Sequence, residues 1–150
     1  MKKLCFLLLV TASVSACKKE PVTAAPSRTD LLTAKNWRKT AWTITSGSAA
    51  PTDVYAQLPA CERDDFYKFN VDKSLVLDAG PTRCNPTDPQ TRPGTWTINS
   101  DQTVLTLADA LGNQPLANEV LELSATTLHL RTSRTSGTTT STGDVTFTAC

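Results

Sequence analysis

Side chains that could carry out catalysis or bind a transition metal are few in this sequence. The 150 residues include one histidine, His129, and five cysteines, none of them in the Cys-x-x-Cys spacing that suits zinc. His129 alternates with Leu128 and Leu130, so in a strand it points away from the apolar face. No Gly-x-Ser-x-Gly turn is present to expose a nucleophilic serine. We therefore predict that the protein is not an enzyme and has no catalytic residue, metal ligand or cofactor.

An acidic cluster formed by Glu62, Asp64 and Asp65 is the remaining candidate for a metal site. Carboxylates suit hard cations such as calcium, but the spacing is not that of a twelve-residue calcium loop, and Arg63 lies inside the cluster. The favoured interpretation is that Asp64 or Asp65 accepts backbone N–H groups where the chain enters a strand.

The first seventeen residues have the pattern of an export signal. Met1-Lys2-Lys3 is positively charged, Leu4–Val10 is apolar, and the small residues Val14-Ser15-Ala16 precede Cys17. The apolar run is much shorter than the ~20 residues that span a bilayer. A cleaved signal with an incidental Cys17 would be one explanation of this pattern.

The tetrapeptide Val14–Cys17 also resembles the lipobox of bacterial lipoproteins. That resemblance implies that residues 1–16 are removed as a signal peptide and that Cys17 becomes a lipidated N-terminus carrying fatty acyl chains such as palmitate. Lys18 after the cysteine implies the outer membrane, on either its periplasmic or its surface face. Residues 17–27, with two prolines and three charges, would then be a tether that holds the domain roughly 30 Å from the lipid.

Charge and length narrow the possible partners. The net charge of +1 becomes −1 without Lys2 and Lys3, because 13 basic groups then face 14 acidic ones. A nucleic-acid partner bound through a basic face is therefore disfavoured. The chain is long enough for one domain, which we place at residues 28–150.

The pattern of that domain predicts an all-β fold. The 25 threonines of the whole chain suit half-buried strands. Thr29-Asp30 before Leu31–Lys35 predict an N-cap and a short helical turn that leads into the first strand. Short turns between consecutive strands, including one over Gly137–Gly143, require antiparallel pairing. With one apolar face on nearly every strand, the sheet must close as an up-and-down β-barrel of about eight strands or pack as a sandwich; consecutive pairing favours the barrel. The predicted strands are Trp37–Thr45, Phe66–Val71, Ser74–Ala79, Thr95–Asn99, Thr103–Leu107, Glu119–Ser124, Thr126–Thr132 and Asp144–Ala149.

Three cysteines remain in the domain. Cys61 lies just before the second predicted strand and Cys84 just after the third, so a hairpin would bring both to the same end. An exported protein can form disulfides, and we predict the pair Cys61–Cys84. Cys150 is left as an odd thiol, either free or paired between molecules.

The aromatic residues divide into two sets. Trp37, Phe69, Trp96 and Phe147 suit a filled core, whereas Trp42 and Tyr67 lie at other levels along their strands and suit an open mouth. Trp42, Tyr67 and Trp96 are the candidate ligand-binding residues. Strict alternation puts Trp37 and Trp42 on opposite faces, so both point inward only if a bulge lies between them.

Several of these residues resemble a known family, the lipocalin-like lipoproteins common in Bacteroidetes. The likeness covers about residues 28–150; Lys35-Asn36-Trp37 lacks the glycine of the Gly-x-Trp found in true lipocalins. It implies a membrane-anchored barrel that binds a small hydrophobic ligand. The residues that carry the likeness are Leu31-Leu32 with Trp37, the order Cys61, Asp64-Asp65, Cys84 and Gly94-Thr95-Trp96, and the segments Tyr67–Asn70 and Leu128–Leu130.

A second function stays open beside ligand binding. If side chains fill the barrel, the loops Gly47–Pro59 and Gly80–Pro93 could bind an envelope protein, as small exported inhibitor barrels do. The two functions differ in whether an apolar cavity exists.

Overall fold

The computed structural model of the protein describes residues 25–109 and 115–150, except for the side chain of Asp109. The predicted signal peptide, Cys17 and most of the predicted tether lie outside the described residues.

Nine strands and two short α-helices are formed by these residues. Each predicted strand is present, most of them longer than expected, and the two-residue strand β2 was not predicted. Of the helices in this part of the chain, none has the length and apolarity needed to cross a membrane. The elements are α1 (Arg28–Thr33), β1 (Asn36–Ser46), β2 (Thr52–Asp53), a 3-10 turn (Tyr55–Gln57), α2 (Ala60–Arg63), β3 (Phe66–Phe69), β4 (Ser74–Asp78), β5 (Thr91–Ile98), β6 (Val104–Asp109), β7 (Leu116–Leu123), β8 (Thr127–Ser136) and β9 (Thr139–Ala149).

The sheet closes on itself. From β3 to β9 each strand pairs antiparallel with the next, and β1 pairs with both β3 and β9. The β1–β9 ladder runs from Trp37 opposite Ala149 to Ser46 opposite Ser141. This is an up-and-down barrel of eight strands, and β2 pairs with Thr43 and Ile44 near the C-terminal end of β1. The predicted barrel is confirmed, and the sandwich is excluded by the β1–β9 closure.

One end of the barrel, here called the closed end, is covered by α1 and by the three tight turns 70–73, 99–103 and 124–126. Leu32 of α1 is fully buried, and its carbonyl accepts a hydrogen bond from Trp37 Nε1 at 2.9 Å. Arg28 donates to the carbonyl of Gln102 at 2.6 Å. The N-cap is Ser27, in a capping box with Asp30, and not the predicted Thr29-Asp30, because the serine side chain can accept the Asp30 N–H.

The opposite end, the open end, carries the longer connections 47–65 and 79–90. Here the predicted turn over Gly137–Gly143 is wrong in extent. The β8–β9 ladder continues to Ser136 opposite Thr139, and the turn is confined to two residues, with Gly137 at φ +59°. Thr139–Thr142 are strand formers, and Gly143 fits a ladder position between Thr132 and Ile44.

The core fills only the half of the barrel next to the closed end. Phe69 packs edge-on against Trp96, with ring centroids 5.7 Å apart. The ten buried apolar residues in the described part of the chain form one cluster. They are Leu32, Trp37, Phe69, Leu75, Trp96, Leu105, Val120, Leu128, Leu130 and Phe147.

Two β-bulges change which side chains point inward. The first lies between Lys39 and Ala41 in β1, so the condition under which Trp37 and Trp42 both face the interior is met. The second lies between Val120 and Glu122 in β7. Alternation in the sequence predicts that Leu121 and Leu123 share the apolar face of this strand. That prediction is wrong for Leu121, because the bulge buries Val120 and leaves Leu121 37% exposed.

Candidate functional site

The half of the barrel next to the open end is hollow. Between the core and the open end lies a cavity of about 430 Å³, within the ~300–1,000 Å³ of typical ligand sites. We call it the barrel cavity. Its walls come from β1, β3, β6, β7, β8 and β9, and its apolar lining includes Trp42, Ile44, Leu107, Leu130, Val145 and Phe147.

Two of the three predicted ligand-binding residues line this cavity. Trp42 reaches it because of the bulge in β1, and the Nζ of Lys39 lies 4.8 Å from the centre of the Trp42 ring. Tyr67 packs edge-on against Phe147, with centroids 5.2 Å apart. Burial, followed by the charge of Asp65, raises the pKa of Tyr67 to about 12, so its hydroxyl stays a neutral donor at physiological pH.

Trp96, the third of these residues, is instead part of the core. It is 1% exposed, its Nε1 donates to the carbonyl of Asn70 at 3.0 Å, and Lys73 Nζ lies 3.8 Å over its ring. It does not line the barrel cavity. Alternation in the sequence correctly placed Trp96 on the inner face of the barrel. It could not show that this part of the strand lies in the packed half.

Lys39 is a charged residue of the cavity wall that the sequence analysis missed. It lines the barrel cavity, and burial lowers the pKa of its ammonium group, an effect that the carboxylates of Asp65 and Glu62 oppose. The ion pairs among the described residues are Arg92–Asp88 and the contacts of Asp144 with Arg131 and His129, and Lys39 takes part in none of them. Alternation could have found it, since Lys39 is two residues from the inward Trp37.

A second cavity of about 330 Å³ adjoins the first and has a polar lining; we call it the polar chamber. Lys39 and Tyr67 line both spaces. Asp65 lines the chamber, and burial, followed by the charges of Asp64 and Glu62, raises the pKa of its carboxyl to about 6, although Lys39 and Arg92 act in the opposite direction.

The predicted disulfide borders the polar chamber. Cys61 and Cys84 are bonded, with Cα atoms 5.2 Å apart, and the bond ties α2 to the 79–90 connection at the open end. Closing this loop stabilises the fold by roughly 3 kcal/mol. Cys150 is an exposed free thiol in the structure.

The acidic cluster does not behave as predicted. Among the described hydrogen bonds, neither Asp64 nor Asp65 accepts a backbone N–H, and Asp64 Oδ1 is buried without a partner. The chain leaves α2 at Asp64 and enters β3 almost directly, so no side-chain-capped turn forms there. Within residues 25–109 and 115–150, no group of three or more acidic, histidine or cysteine side chains is arranged to hold a metal ion.

Asn118 is a buried polar residue in the cavity wall that the sequence analysis also missed. It is 3% exposed and donates to the carbonyls of Leu116 at 2.9 Å and Leu105 at 3.2 Å. Its side-chain oxygen accepts from the Thr132 hydroxyl. Its position between Leu116 and Val120 at period two could have placed it on the inner face.

His129 lies outside the cavity. Its Nε2 is 3.7 Å from an oxygen of Asp144, which also pairs with Arg131 at 2.8 Å. The side chain is partly exposed, in agreement with the prediction that it points away from the apolar face.

Comparison with known proteins gives one family. No curated protein matches the sequence significantly. The family model of the lipocalin-like domain matches residues 33–130, which run from the end of α1 into β8 and include Trp37, both disulfide cysteines and most of the barrel. Such domains are generally binding proteins without enzymatic activity. The closed eight-stranded barrel and this match together show that the chain belongs to the lipocalin-like domain family.

Proposed function

We propose that the protein binds a small hydrophobic ligand in the barrel cavity. The observation that carries this proposal is that the barrel is packed at its closed end and hollow at its open end, with a volume of about 430 Å³. Packed interiors leave few voids larger than a water molecule, so a space of this size is not a packing defect. An apolar lining with a few polar groups is typical of small-molecule sites.

The uptake of an uncharged apolar probe, N-phenylnaphthylamine, by residues 25–150 tests this proposal. Probe fluorescence should rise to saturation and fall when a competing alkane-chain compound is added. Trp42 lines the cavity, whereas Trp37 and Trp96 are buried in the core, so tryptophan emission should change through Trp42. Trp42→Phe should remove most of that emission change while the probe still saturates. Linear, non-saturating fluorescence would contradict the proposal.

We further propose that the protein is a lipoprotein of the bacterial outer membrane, anchored through Cys17. Lys2–Lys3, the apolar run Leu4–Val10 and the lipobox-like Val14–Cys17 support this proposal. One acyl chain binds a membrane only marginally, and two or three make attachment stable. Growth of an expressing bacterium with labelled palmitate should label the protein, and Cys17→Ala should not be labelled. Equal labelling of both would overturn the anchor.

Binding of an envelope protein remains the second candidate. The 79–90 loop supports it, because the disulfide fixes it to α2 and Arg83 donates to the carbonyl of Asp88 at 2.9 Å, which holds its shape. A protein that failed to take up apolar probes but was captured by an envelope partner through this loop would favour it.

A further inference from the structure

The boundary between the two cavities is formed by two polar donors, the Lys39 ammonium and the Tyr67 hydroxyl. Both side chains are half-buried. The Lys39 ammonium lies over the Trp42 ring but takes part in no ion pair or hydrogen bond among the described residues, and neither does the Tyr67 hydroxyl. A charge or hydroxyl that is partly removed from water is stabilised by a group that pairs with it. Both groups line the barrel cavity and the polar chamber at once, so a single ligand group placed between the cavities would reach them.

The charge of the barrel cavity favours an anion over a cation. Lys39 and Arg134 are the charged residues in its lining, and no Asp or Glu is among the described residues that line it. In the polar chamber, the guanidinium groups of Arg83 and Arg92 accompany the carboxylates of Glu62, Asp65 and Asp88. Glu62 and Asp65 oppose the effect of burial on the Lys39 pKa and so help to keep its charge. A cation at the boundary would face Lys39, whereas an anion would pair with it and accept from Tyr67.

The residues that line the two cavities indicate the orientation of such a ligand. The barrel cavity is walled by Trp42, Ile44, Val145 and other apolar side chains, which suit a hydrocarbon tail. The polar chamber begins where that wall ends, at Lys39 and Tyr67, and suits a partly hydrated head group. Arg134 is exposed near the other end of the cavity and lies on its rim.

We propose that the ligand is an amphiphile with one anionic head group, its tail in the barrel cavity and its head between Lys39 and Tyr67. This inference rests on the proposed function and specifies the chemical class of its ligand.

The test compares three ligands of equal chain length on residues 25–150 by calorimetric titration: decanoate, decanol and decylammonium. Wild type should bind decanoate most tightly and decylammonium least. Lys39→Met keeps the length of the side chain and removes its charge, so it should weaken decanoate by about tenfold or more and leave decanol unchanged. Lys39→Arg should keep the preference for decanoate.

Lys68→Met is the matched control, because Lys68 is the exposed, outward neighbour of Tyr67 on β3 and lines neither cavity. It should bind all three ligands as wild type does. The proposal of an anionic head group would be contradicted if wild type bound decanoate and decanol equally, or if Lys39→Met kept the wild-type affinity for decanoate. Either result would leave the proposed hydrophobic site unaffected. Tighter binding of decylammonium would also contradict the anionic head group. Failure of all three to bind would overturn the proposed function itself.

Discussion

Asp65 is the residue whose protonation should be visible in the stability of the whole protein. Burial and the neighbouring carboxylates of Asp64 and Glu62 raise the pKa of this group from 3.8 to about 6, against the opposing charges of Lys39 and Arg92. The folded state therefore holds the Asp65 proton at pH values where the unfolded chain has released it. By linkage, the contribution of Asp65 to stability falls as pH rises from 3.8 towards about 6, and the penalty is complete above that range.

We expect Asp65→Asn to have a higher melting temperature than wild type at pH 7.5, because the amide carries no charge to desolvate. At pH 4 the difference should largely disappear. Thermal melts of both proteins across this range measure it, and Asp101→Asn, which removes an exposed carboxylate at the closed end, controls for net charge. A variant less stable than wild type at pH 7.5 would show that the Asp65 charge is instead stabilised by Lys39 and Arg92.

The connection between β4 and β5 depends on a glycine at its first turn. Gly80 has a φ of +62°, and a Cβ atom on it would overlap the backbone carbonyl of Asp64, where this loop packs against the segment leading into β3. Gly137 in the β8–β9 turn has a similar φ of +59° but open space around it. Gly137→Ala therefore measures the cost of the left-handed backbone conformation alone. Gly80→Ala measures that cost together with the cost of the overlap with Asp64.

Gly137→Ala should lower the free energy of unfolding by about 1 kcal/mol, the typical strain of a left-handed non-glycine residue. Gly80→Ala should lower it by roughly 3 kcal/mol, because the overlap adds the destabilisation typical of overpacking. Urea unfolding of both variants measures the difference. Equal losses would mean that the loop moves away from Asp64 freely.

The strands of the barrel could be predicted because each strand buries one face, so that apolar and polar residues alternate along its sequence. Irregular positions limited the prediction. For the bulge at Thr40, the sequence provided only a condition, because Trp37 and Trp42 can both face the interior only if a bulge separates them. For the bulge beside Leu121, no pair of residues raised such a condition. The disulfide followed from hairpin geometry, but the burial of Lys39 and Asp65 depends on the approach of α2 to β1, which no local pattern encodes.

Along its axis, the barrel consists of a packed half at the closed end and a hollow half at the open end. The turns at the closed end are tight and α1 inserts Leu32 there, so large side chains such as Trp37 and Trp96 fill that half. At the open end the connections are longer and the inward residues of β8 and β9 are smaller, among them Thr132, Ser141 and Gly143, which leaves the barrel cavity. Alternation identifies inward residues and not the volume that they leave unfilled. Whether the barrel was hollow therefore could not be predicted from the sequence.

A variant whose side chain fills the barrel cavity tests directly whether the ligand binds there. The backbone of Gly143 faces the cavity, and a Cβ built there would lie 3.9 Å from Trp42 Nε1 and 4.0 Å from Ile44 Cγ1, both ordinary contacts. Gly143→Leu therefore places a side chain in empty space. Thr148→Leu adds a similar side chain to the same strand on the exposed outer face.

The measurement is the uptake of N-phenylnaphthylamine by the two variants, together with their melting temperatures. Gly143→Leu should lose saturable uptake and melt no lower than wild type, since the cavity gives the added side chain room to bury apolar surface. Thr148→Leu should take up the probe as wild type does. Wild-type uptake by Gly143→Leu would show that the ligand binds elsewhere, and a large fall in its melting temperature would show that the barrel has no such space.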